Sequence, residues 1–421
     1  MEKDNDVKVQ ERVRWRVIGP GLVVAATGIG AGDLVATMVA GSRYGYALLW
    51  AAVAGVIIKV ALVEGAGRWS LATGRTIIDG WRQLGAWAMT YFGIYIVVWG
   101  LSYGAAAMSS SALPLNALFP QVDVIWFAMG SGVLGLVLVW AGRYRALEKI
   151  IAVLVGLMFL TVVGSAVLTL PHLGDVVSGL VPRIPDGSVI YTLGLAGGVG
   201  GTITLAAYGY WLREKGWHAP GWMRVMRIDN AAAYVMSGIF VISMLIVGAE
   251  LLYSSGVTIA DGEGGLLDLS EVLAQRYGAF MAPLFLVGFW ASSFSSVLGV
   301  WHGVSLMFAD FVGTVRKIPE DDVRRHAGGA YYRAYILWLT FPPMLLLLLD
   351  RPIALVVAYG ALGALFMPFM AVTLLFLLNS SAVPAGWRNT WWLNVVLAAV
   401  ATLFLVLGVN ELVKVVQPLL A

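Results

Sequence analysis

The chain of 421 residues contains no cysteine and few histidines. The absence of cysteine excludes disulfide bonds, thiolate metal sites and cysteine nucleophiles. No His-Glu-x-x-His motif occurs, so this zinc-protease signature is missing as well. The four histidines are His172, His218, His302 and His326.

Charged residues are also scarce. Asp, Glu, Lys and Arg make up 12% of the chain, whereas soluble domains contain about 25%. Hydrophobic residues make up 60%, and the mean hydropathy is +0.84. Lipid must therefore surround most of the protein. The net charge is +3, and in a membrane protein the basic residues indicate which loops face the cytoplasm. We expect no nucleic-acid partner.

The first 16 residues form a charged, polar arm, 1–16, that does not resemble a cleavable signal peptide. We therefore expect the first membrane helix to stay attached. Apolar stretches of about 20 residues follow, each long enough to cross a hydrocarbon layer of about 30 Å. There are eleven, at 17–41, 46–66, 87–113, 122–142, 147–170, 190–215, 228–253, 278–308, 331–349, 352–378 and 389–413.

The basic residues predict the orientation of these spans, because Lys and Arg concentrate on cytoplasmic loops. With the N-terminus in the cytoplasm, all but six of the 27 Lys and Arg residues fall on that side. Five of the six lie outside, and Lys59 falls within the second span. The sequence therefore predicts an integral protein of a bacterial-type cytoplasmic membrane, with its N-terminus inside and its C-terminus outside.

Two glycine clusters lie inside hydrophobic spans rather than at their ends. They are Gly28-Ile29-Gly30-Ala31-Gly32 in the first span and Gly197-Gly198-Val199-Gly200-Gly201 in the sixth. Because five spans separate the clusters, the second one is inverted in the membrane. Paired interruptions in matching positions of inverted halves indicate a transport site near the membrane midplane. For either cluster alone, close helix packing is the alternative explanation.

Asp33 follows the first cluster directly. A carboxylate at mid-membrane costs about 2.5–3.5 kcal/mol on insertion scales, so such a residue usually faces a cavity and a partner. Thr202 and Thr204 follow the second cluster. Their hydroxyls could face the same cavity or bind a carbonyl of the preceding turn. We therefore predict an ion-binding site around Asp33.

Two other charges within spans allow more than one interpretation. Lys59 could pair with a carboxylate or cap freed carbonyls, or it could take part in permeation. Glu250 lies near the outer end of the seventh span, and its role stays open. His302, in the eighth span, is expected to be a packing or hydrogen-bonding histidine rather than a metal ligand.

Further stretches of the chain resemble the Nramp divalent-metal transporters. They are Gly19-Pro20-Gly21, Ala40-Gly41-Ser42-Arg43-Tyr44-Gly45-Tyr46-Ala47-Leu48-Leu49-Trp50 and Leu71-Ala72-Thr73-Gly74. The resemblance implies an all-α, LeuT-like fold with two inverted repeats of five helices, in which the first and sixth helices are broken. It implies repeats at 17–170 and 190–378, followed by an additional eleventh helix at 389–413.

The chain departs from the family pattern where the family binds metal. The family's Asp-Pro-Gly-Asn corresponds to Gly30-Ala31-Gly32-Asp33, so the acid moves to the asparagine position. The family's Met-Pro-His corresponds to Thr204-Leu205-Ala206. An acidic pair, a second histidine and a glutamine correspond to Gly104 and Ala107, to Trp211 and to Gly360.

These departures resemble the Nramp-related magnesium transporter branch. The resemblance implies metal ligands among Asp33, Gly30, Thr204, Thr202 and Ala206. Loss of the thioether removes a soft donor, and smaller side chains leave room for a partly hydrated Mg²⁺, with Mn²⁺ as a second substrate. Because none of the aligned positions can exchange a proton, we expect uptake without proton coupling. We also expect no cofactor and a monomer.

Three other functions stay open. The chain could be a proton-coupled Mn²⁺/Fe²⁺ transporter, or an amino-acid or organic-solute transporter of the same fold. In the latter, Asp33 would repel an anionic group at the half-helix N-termini, which favours a cation. Gly30-Ala31-Gly32-Asp33 also fits the Gly-x-Gly-Asp string of intramembrane aspartyl proteases. That mechanism needs a second aspartate, and no Tyr-Asp pair occurs in the chain.

Overall fold

The computed structural model describes residues 19–169, 172–198, 201–254, 264–348 and 352–420. The predicted arm, 1–16, lies outside these residues, as do Val199 and Gly200 of the second glycine cluster. The described residues form helices and connecting segments, and no β-strand occurs among them. An all-α fold is therefore confirmed.

The first five predicted spans are helical, and the first of them is broken. The helices of these spans are α1 (Pro20–Gly28) and α2 (Ala31–Tyr44), α3 (Leu49–Thr73), α5 (Ala86–Leu118), α6 (Val124–Val139), and α7 (Tyr144–Met158) with α8 (Gly164–Leu168). A π-helical turn, Phe159–Val163, joins α7 to α8. Two short helices lie between spans, α4 (Ile77–Leu84) and α9 (Leu173–Ser178).

The next five spans repeat this arrangement, with the break again in the first member, and an eleventh span follows. Their helices are α10 (Val189–Gly198) and α11 (Thr204–Glu214), α12 (Met223–Gly248), α14 (Met281–Val315), α15 (Ala330–Leu347), α16 (Pro352–Asn379) and α17 (Trp391–Leu420). A π-helical turn, Ala249–Tyr253, extends α12. The helix α13 (Gly264–Tyr277) occupies a connection in which the sequence predicted no helix. Single 3₁₀ turns cover Pro220–Trp222, Val323–Arg325 and Ala385–Trp387.

Several of these helices are suited to a bilayer by length and composition. Within the described residues, five segments are long and apolar enough to cross a membrane: Leu49–Thr73, Ala86–Leu118, Tyr144–Leu168, Pro220–Tyr253 and Met281–Val315. Shorter apolar helices cover Val124–Val139, Leu365–Asn379 and Trp391–Val406. The two broken spans fall below this length because each consists of two half-helices.

Apolar side chains cover the outer surface as well as the core. Ile94, Val153 and Phe376 are 65%, 71% and 60% exposed, which suits contact with lipid tails. The interior is centred on α14, which packs against α1, α5, α7 and α11. The half-helix α1 also contacts α12. The first break is therefore enclosed by other helices, where an interrupted backbone is tolerated at membrane depth.

Candidate cation site at the two helix breaks

The first break consists of Ile29 and Gly30, between α1 and α2. The backbone N–H of Gly30 donates to Oδ2 of Asp33 at 2.9 Å. In return, the carbonyl oxygen of Gly30 accepts from the backbone N–H of Asp33 at 3.1 Å. Asp33 is half-buried in the first turn of α2, where the helix dipole stabilises a negative charge. The break therefore positions the predicted carboxylate at a helix N-terminus.

The second break separates α10 from α11 and contains Gly201. Its φ of +93° is a left-handed conformation that favours glycine. A Cβ added at Gly201 would lie only 2.6 Å from Oγ1 of Thr204, so the threonine hydroxyl points back toward the break. This hydroxyl is buried and has no hydrogen-bond partner in the described part of the chain. A buried, unsatisfied oxygen of this kind is suited to a ligand.

The two breaks lie against each other. The same added Cβ at Gly201 would lie 3.0 Å from Cα of Gly28, at the end of α1. Lys59 of α3 donates from Nζ to the carbonyl oxygen of Gly201 at 2.7 Å, and it interacts electrostatically with Asp33. The structure therefore supports the interpretation that Lys59 caps a freed carbonyl, with the charge of Asp33 nearby.

Serines of α14 bind the carbonyls that the first break frees. Ser292 donates to the carbonyl oxygen of Ile29 at 2.9 Å, and Ser296 donates to that of Thr27 at 2.6 Å. Ser295 contacts the carbonyl oxygen of Ala26 at 3.4 Å. The last turn of α1 is thus satisfied by side chains of another span rather than by its own helix.

The remaining candidate ligands, Thr202 and Ala206, lie at the second break and in α11. The γ-methyl group of Thr202 lies near α16, because a Cβ added at Gly363 would contact it at 3.3 Å. Ala206 is fully buried in the hydrophobic core of α11. Asp33 and Gly30 are therefore joined by a hydrogen bond, whereas Thr202 and Ala206 belong to the second break and the half-helix after it. In the described ranges, no three His, Asp or Glu side chains form a metal-binding cluster.

Two groups of residues near the breaks were not predicted from the sequence. The serines of α14 stand in Ala291-Ser292-Ser293-Phe294-Ser295-Ser296, a polar run inside an otherwise apolar span that could have indicated them. Tyr234 of α12 is fully buried and interacts electrostatically with Asp33. No sequence pattern singles out this tyrosine, because aromatic residues are frequent in all the spans.

Asp229 anchors the other end of α1. Its carboxylate accepts from the backbone N–H of Gly19 at 2.9 Å and from that of Gly21 at 2.6 Å. Tyr208 of α11 donates to the same carboxylate at 2.9 Å. This carboxylate therefore caps the N-terminus of α1 from another span and connects that half-helix to α11 and α12.

Glu250 lies at the opposite end of α12, in the π-helical turn. Its Oε1 accepts from the hydroxyl of Tyr46 at 2.5 Å. Together with Asp175 and Arg183, these residues line a surface cavity of about 480 Å³. Glu250 therefore belongs to a polar surface cavity beside the connection between α2 and α3.

Gly104 and Trp211, which we expect from the sequence to correspond to titratable residues of the family, are closely packed. A Cβ added at Gly104 would lie 2.5 Å from the carbonyl oxygen of Leu339, so α5 and α15 leave no space there for a carboxylate. Trp211 is fully buried and donates from Nε1 to Nδ1 of His302 at 3.2 Å. This contact confirms a hydrogen-bonding role for His302.

Comparisons with known proteins agree with this architecture. The Nramp family profile, described as natural resistance-associated macrophage protein-like, matches residues 21–414. A divalent metal cation transporter MntH of Mycobacterium tuberculosis is 26% identical over 417 residues, covering 96% of this chain and 93% of its own.

Two solved structures share the fold. A manganese transporter of Eremococcus coleocola superposes with a TM-score of 0.79 at 17% identity, covering 96% of this chain and 89% of its own. Mhp1, a nucleobase-cation-symport-1 family transporter, superposes with a TM-score of 0.62 at 14% identity, covering 96% and 93%. These likenesses confirm the LeuT-like fold of five plus five helices with broken first and sixth helices.

The family profile extends over nearly the whole chain, including both breaks. Members of this family are integral membrane transporters and not enzymes, which excludes the protease alternative. The chain therefore belongs to the Nramp family.

Proposed function

We propose that this protein carries divalent metal cations across a bacterial-type cytoplasmic membrane, with Mg²⁺ as the main substrate and Mn²⁺ as the second. The observation that carries the proposal is the carboxylate of Asp33, held at the start of α2 where the two broken spans meet. The names of the relatives, a divalent metal cation transporter and a manganese transporter, support a metal substrate.

The choice of Mg²⁺ rests on the donor atoms around the breaks. Asp33 offers a carboxylate, Thr204 offers a hydroxyl without a partner among the described residues, and the backbone offers carbonyls. Oxygen donors suit Mg²⁺ and Mn²⁺, whereas sulfur selects softer ions. The sulfur of Met367 on α16 contacts Nζ of Lys59 at 3.6 Å, and we do not assign it as a metal ligand.

The absence of proton coupling rests on the replaced family positions. Gly104, Ala107, Ala206 and Trp211 cannot exchange a proton, and packing around Gly104 leaves no room for an acid. His302 is one titratable group nearby, since it accepts from Trp211. Its Nε2 is buried and finds no partner in the parts of the chain that the structure describes, so no chain of hydrogen bonds continues from it there.

The test is uptake into proteoliposomes of Mg²⁺, Mn²⁺, Ca²⁺ and Fe²⁺, each with and without a proton gradient. Replacing Asp33→Asn removes the only carboxylate that we assign to the site, and we expect Mg²⁺ uptake to fall at least about a hundredfold, as for loss of a charged ligand. Asp123→Asn is the matched control, because Asp123 is an exposed cap of α6. Unchanged Mg²⁺ transport by Asp33→Asn would remove the proposed site.

One observation favours a second candidate, an organic solute with both charges. Asp33 and Lys59 present opposite charges beside the helix breaks, as a zwitterion such as an amino acid requires. Uptake of labelled amino acids by the same vesicles separates the candidates. Amino-acid uptake that depends on Asp33, without uptake of any divalent ion, would favour the solute.

The membrane arrangement follows from the basic loops. We infer a cytoplasmic N-terminus, an external C-terminus and repeats at 17–170 and 190–378 with an extra helix at 389–413. The connection between α14 and α15 supports this orientation, because Arg316 and Arg324 are exposed there. We also infer a monomer, since each chain contains both breaks.

A further inference from the structure

Lys59 is a fully buried charged side chain in α3, a membrane-spanning helix. A charge within a bilayer is costly unless it is paired or faces a polar cavity. Besides its bond to Gly201, Nζ contacts the sulfur of Met367 at 3.6 Å and lies 5.7 Å from the ring centre of Phe404. Groups from the sixth, tenth and eleventh spans therefore hold this ammonium group in place.

The ammonium group lies beside the junction of the two breaks. Gly201, whose carbonyl it binds, packs against Gly28 at the end of α1. The same group interacts electrostatically with Asp33, at the start of α2. The ammonium group of a lysine is thus placed where a transported cation needs oxygen ligands.

We propose that Lys59 is a tethered cation that competes with the transported divalent ion for the carboxylate of Asp33 and the carbonyl of Gly201. This inference rests on the proposed function, because it requires a metal ion to bind at the breaks. In the metal-free protein, the ammonium and carboxylate charges balance each other. An arriving divalent ion takes the two oxygens, and the ammonium group withdraws on its flexible four-carbon stem.

Competition of this kind promotes release. Positive charges repel each other strongly where water is scarce, so Lys59 lowers the affinity of the site for metal. Differences in affinity between related sites reside mostly in the rate of dissociation. A tethered cation therefore speeds the departure of the ion, and it fills the site again once the ion has left.

A purely structural role for Lys59 makes a different prediction. Capping the Gly201 carbonyl needs only an N–H donor, whereas competition needs a positive charge. Lys59→Gln keeps an N–H donor and removes the charge, and Lys59→Arg keeps the charge. The two variants therefore separate the two roles.

The experiment is equilibrium titration of the purified full-length protein with Mn²⁺ and with Mg²⁺. We expect Lys59→Gln to lower both Kd values at least about tenfold and to slow turnover in vesicles, because the repulsion is gone. Lys59→Arg keeps the charge and should therefore bind both ions as weakly as the native protein does. Arg316→Gln, at an exposed position just after α14, controls for the loss of one positive charge and should leave both Kd values unchanged.

The opposite result is informative as well. If Lys59→Gln binds both ions as the native protein does, or more weakly, the competition is wrong and Lys59 is only a cap. If the native protein and every variant bind neither ion, the proposed function itself fails. The difference between the variants therefore tests the competition, and metal binding by the native protein tests the proposed function.

A stability measurement without metal tests the link between the two charges directly. Lys59→Gln leaves the carboxylate of Asp33 without its counter-charge, so its midpoint of thermal unfolding should fall. Adding Asp33→Asn to this variant should restore part of that loss, because the two groups are coupled. This comparison remains possible when the single variant folds poorly. Failure of the double variant to recover would contradict the proposal.

Discussion

Asp33 owes its position to the hydrogen bonds of one turn of backbone. Gly30 has no side chain, and a Cβ added there would meet Oγ of Ser296 at 3.3 Å. The backbone N–H of Gly30 instead fixes Oδ2 of Asp33. An acid at Asp33 rather than at Gly30 thus places the charge in the first turn of α2 instead of in the break itself.

Thr204 carries a prediction at the scale of a single residue. Thr204→Val removes a buried hydroxyl that has no partner among the described residues, so stability should stay unchanged or rise by up to about 1 kcal/mol. Mg²⁺ affinity should fall if this hydroxyl is a ligand. Thermal unfolding and Mg²⁺ titration of the same preparation provide both measurements.

A second threonine provides the control for this substitution. Thr340 is fully buried, accepts from Nε1 of Trp301 at 2.9 Å and donates to the carbonyl oxygen of Ile336 at 2.8 Å. Thr340→Val should cost about 1–3 kcal/mol of stability, because a buried donor loses its acceptor. A loss of stability in Thr204→Val as large as in Thr340→Val would show that Thr204 has a structural partner.

The half-helix α1 is held at both ends by side chains from other spans. Asp229 of α12 caps its N-terminus through Gly19 and Gly21, and serines of α14 bind the carbonyls at its C-terminus. Its nine residues are too few for stability as an isolated helix. The position of α1 therefore depends on contacts with α12 and α14.

The serines of α14 give a prediction at the scale of this element. Ser292→Ala and Ser296→Ala each leave a buried carbonyl unsatisfied and should cost about 1–3 kcal/mol. The double variant should also show faster amide hydrogen exchange in α1, and lower transport. Ser293→Ala is the matched control, because its hydroxyl binds the carbonyl of Phe289 within α14. Equal exchange in the double variant and the control would mean that the serines do not hold α1.

At the scale of the whole molecule, the question is which gradient drives transport. If no proton moves with the metal, the membrane potential alone drives uptake. About 2.3 kcal/mol per charge per 100 mV gives a divalent ion roughly 4.6 kcal/mol, or accumulation on the order of a thousandfold.

Vesicles with an imposed potassium diffusion potential test this prediction. We expect Mg²⁺ uptake to follow the potential and to stop when the potential is collapsed, while a pH-sensitive dye inside the vesicles records no acidification. Protein-free vesicles are the control for leakage. Acidification that requires both the protein and Mg²⁺ would show that protons are coupled after all.

Much of the fold could be predicted from the sequence, because its causes act locally. The eleven spans follow from hydrophobic length, and the two breaks follow from glycine clusters inside those lengths. The helix α13 was missed because a short helix between spans carries no such signal. The serine contacts were missed because they join residues more than 260 positions apart, and no local pattern records a pairing at that separation.

The sequence by itself determined the solvent, the helical class, the family and the carboxylate at the first break. Each of these depends on composition or on neighbours along the chain, since lipid selects apolar helices and a helix N-terminus favours a nearby acid. Only the tertiary structure decided what surrounds that carboxylate. Packing of distant spans brought Lys59 to the Gly201 carbonyl, left the Thr204 hydroxyl without a partner among the described residues and closed the space beside Gly104.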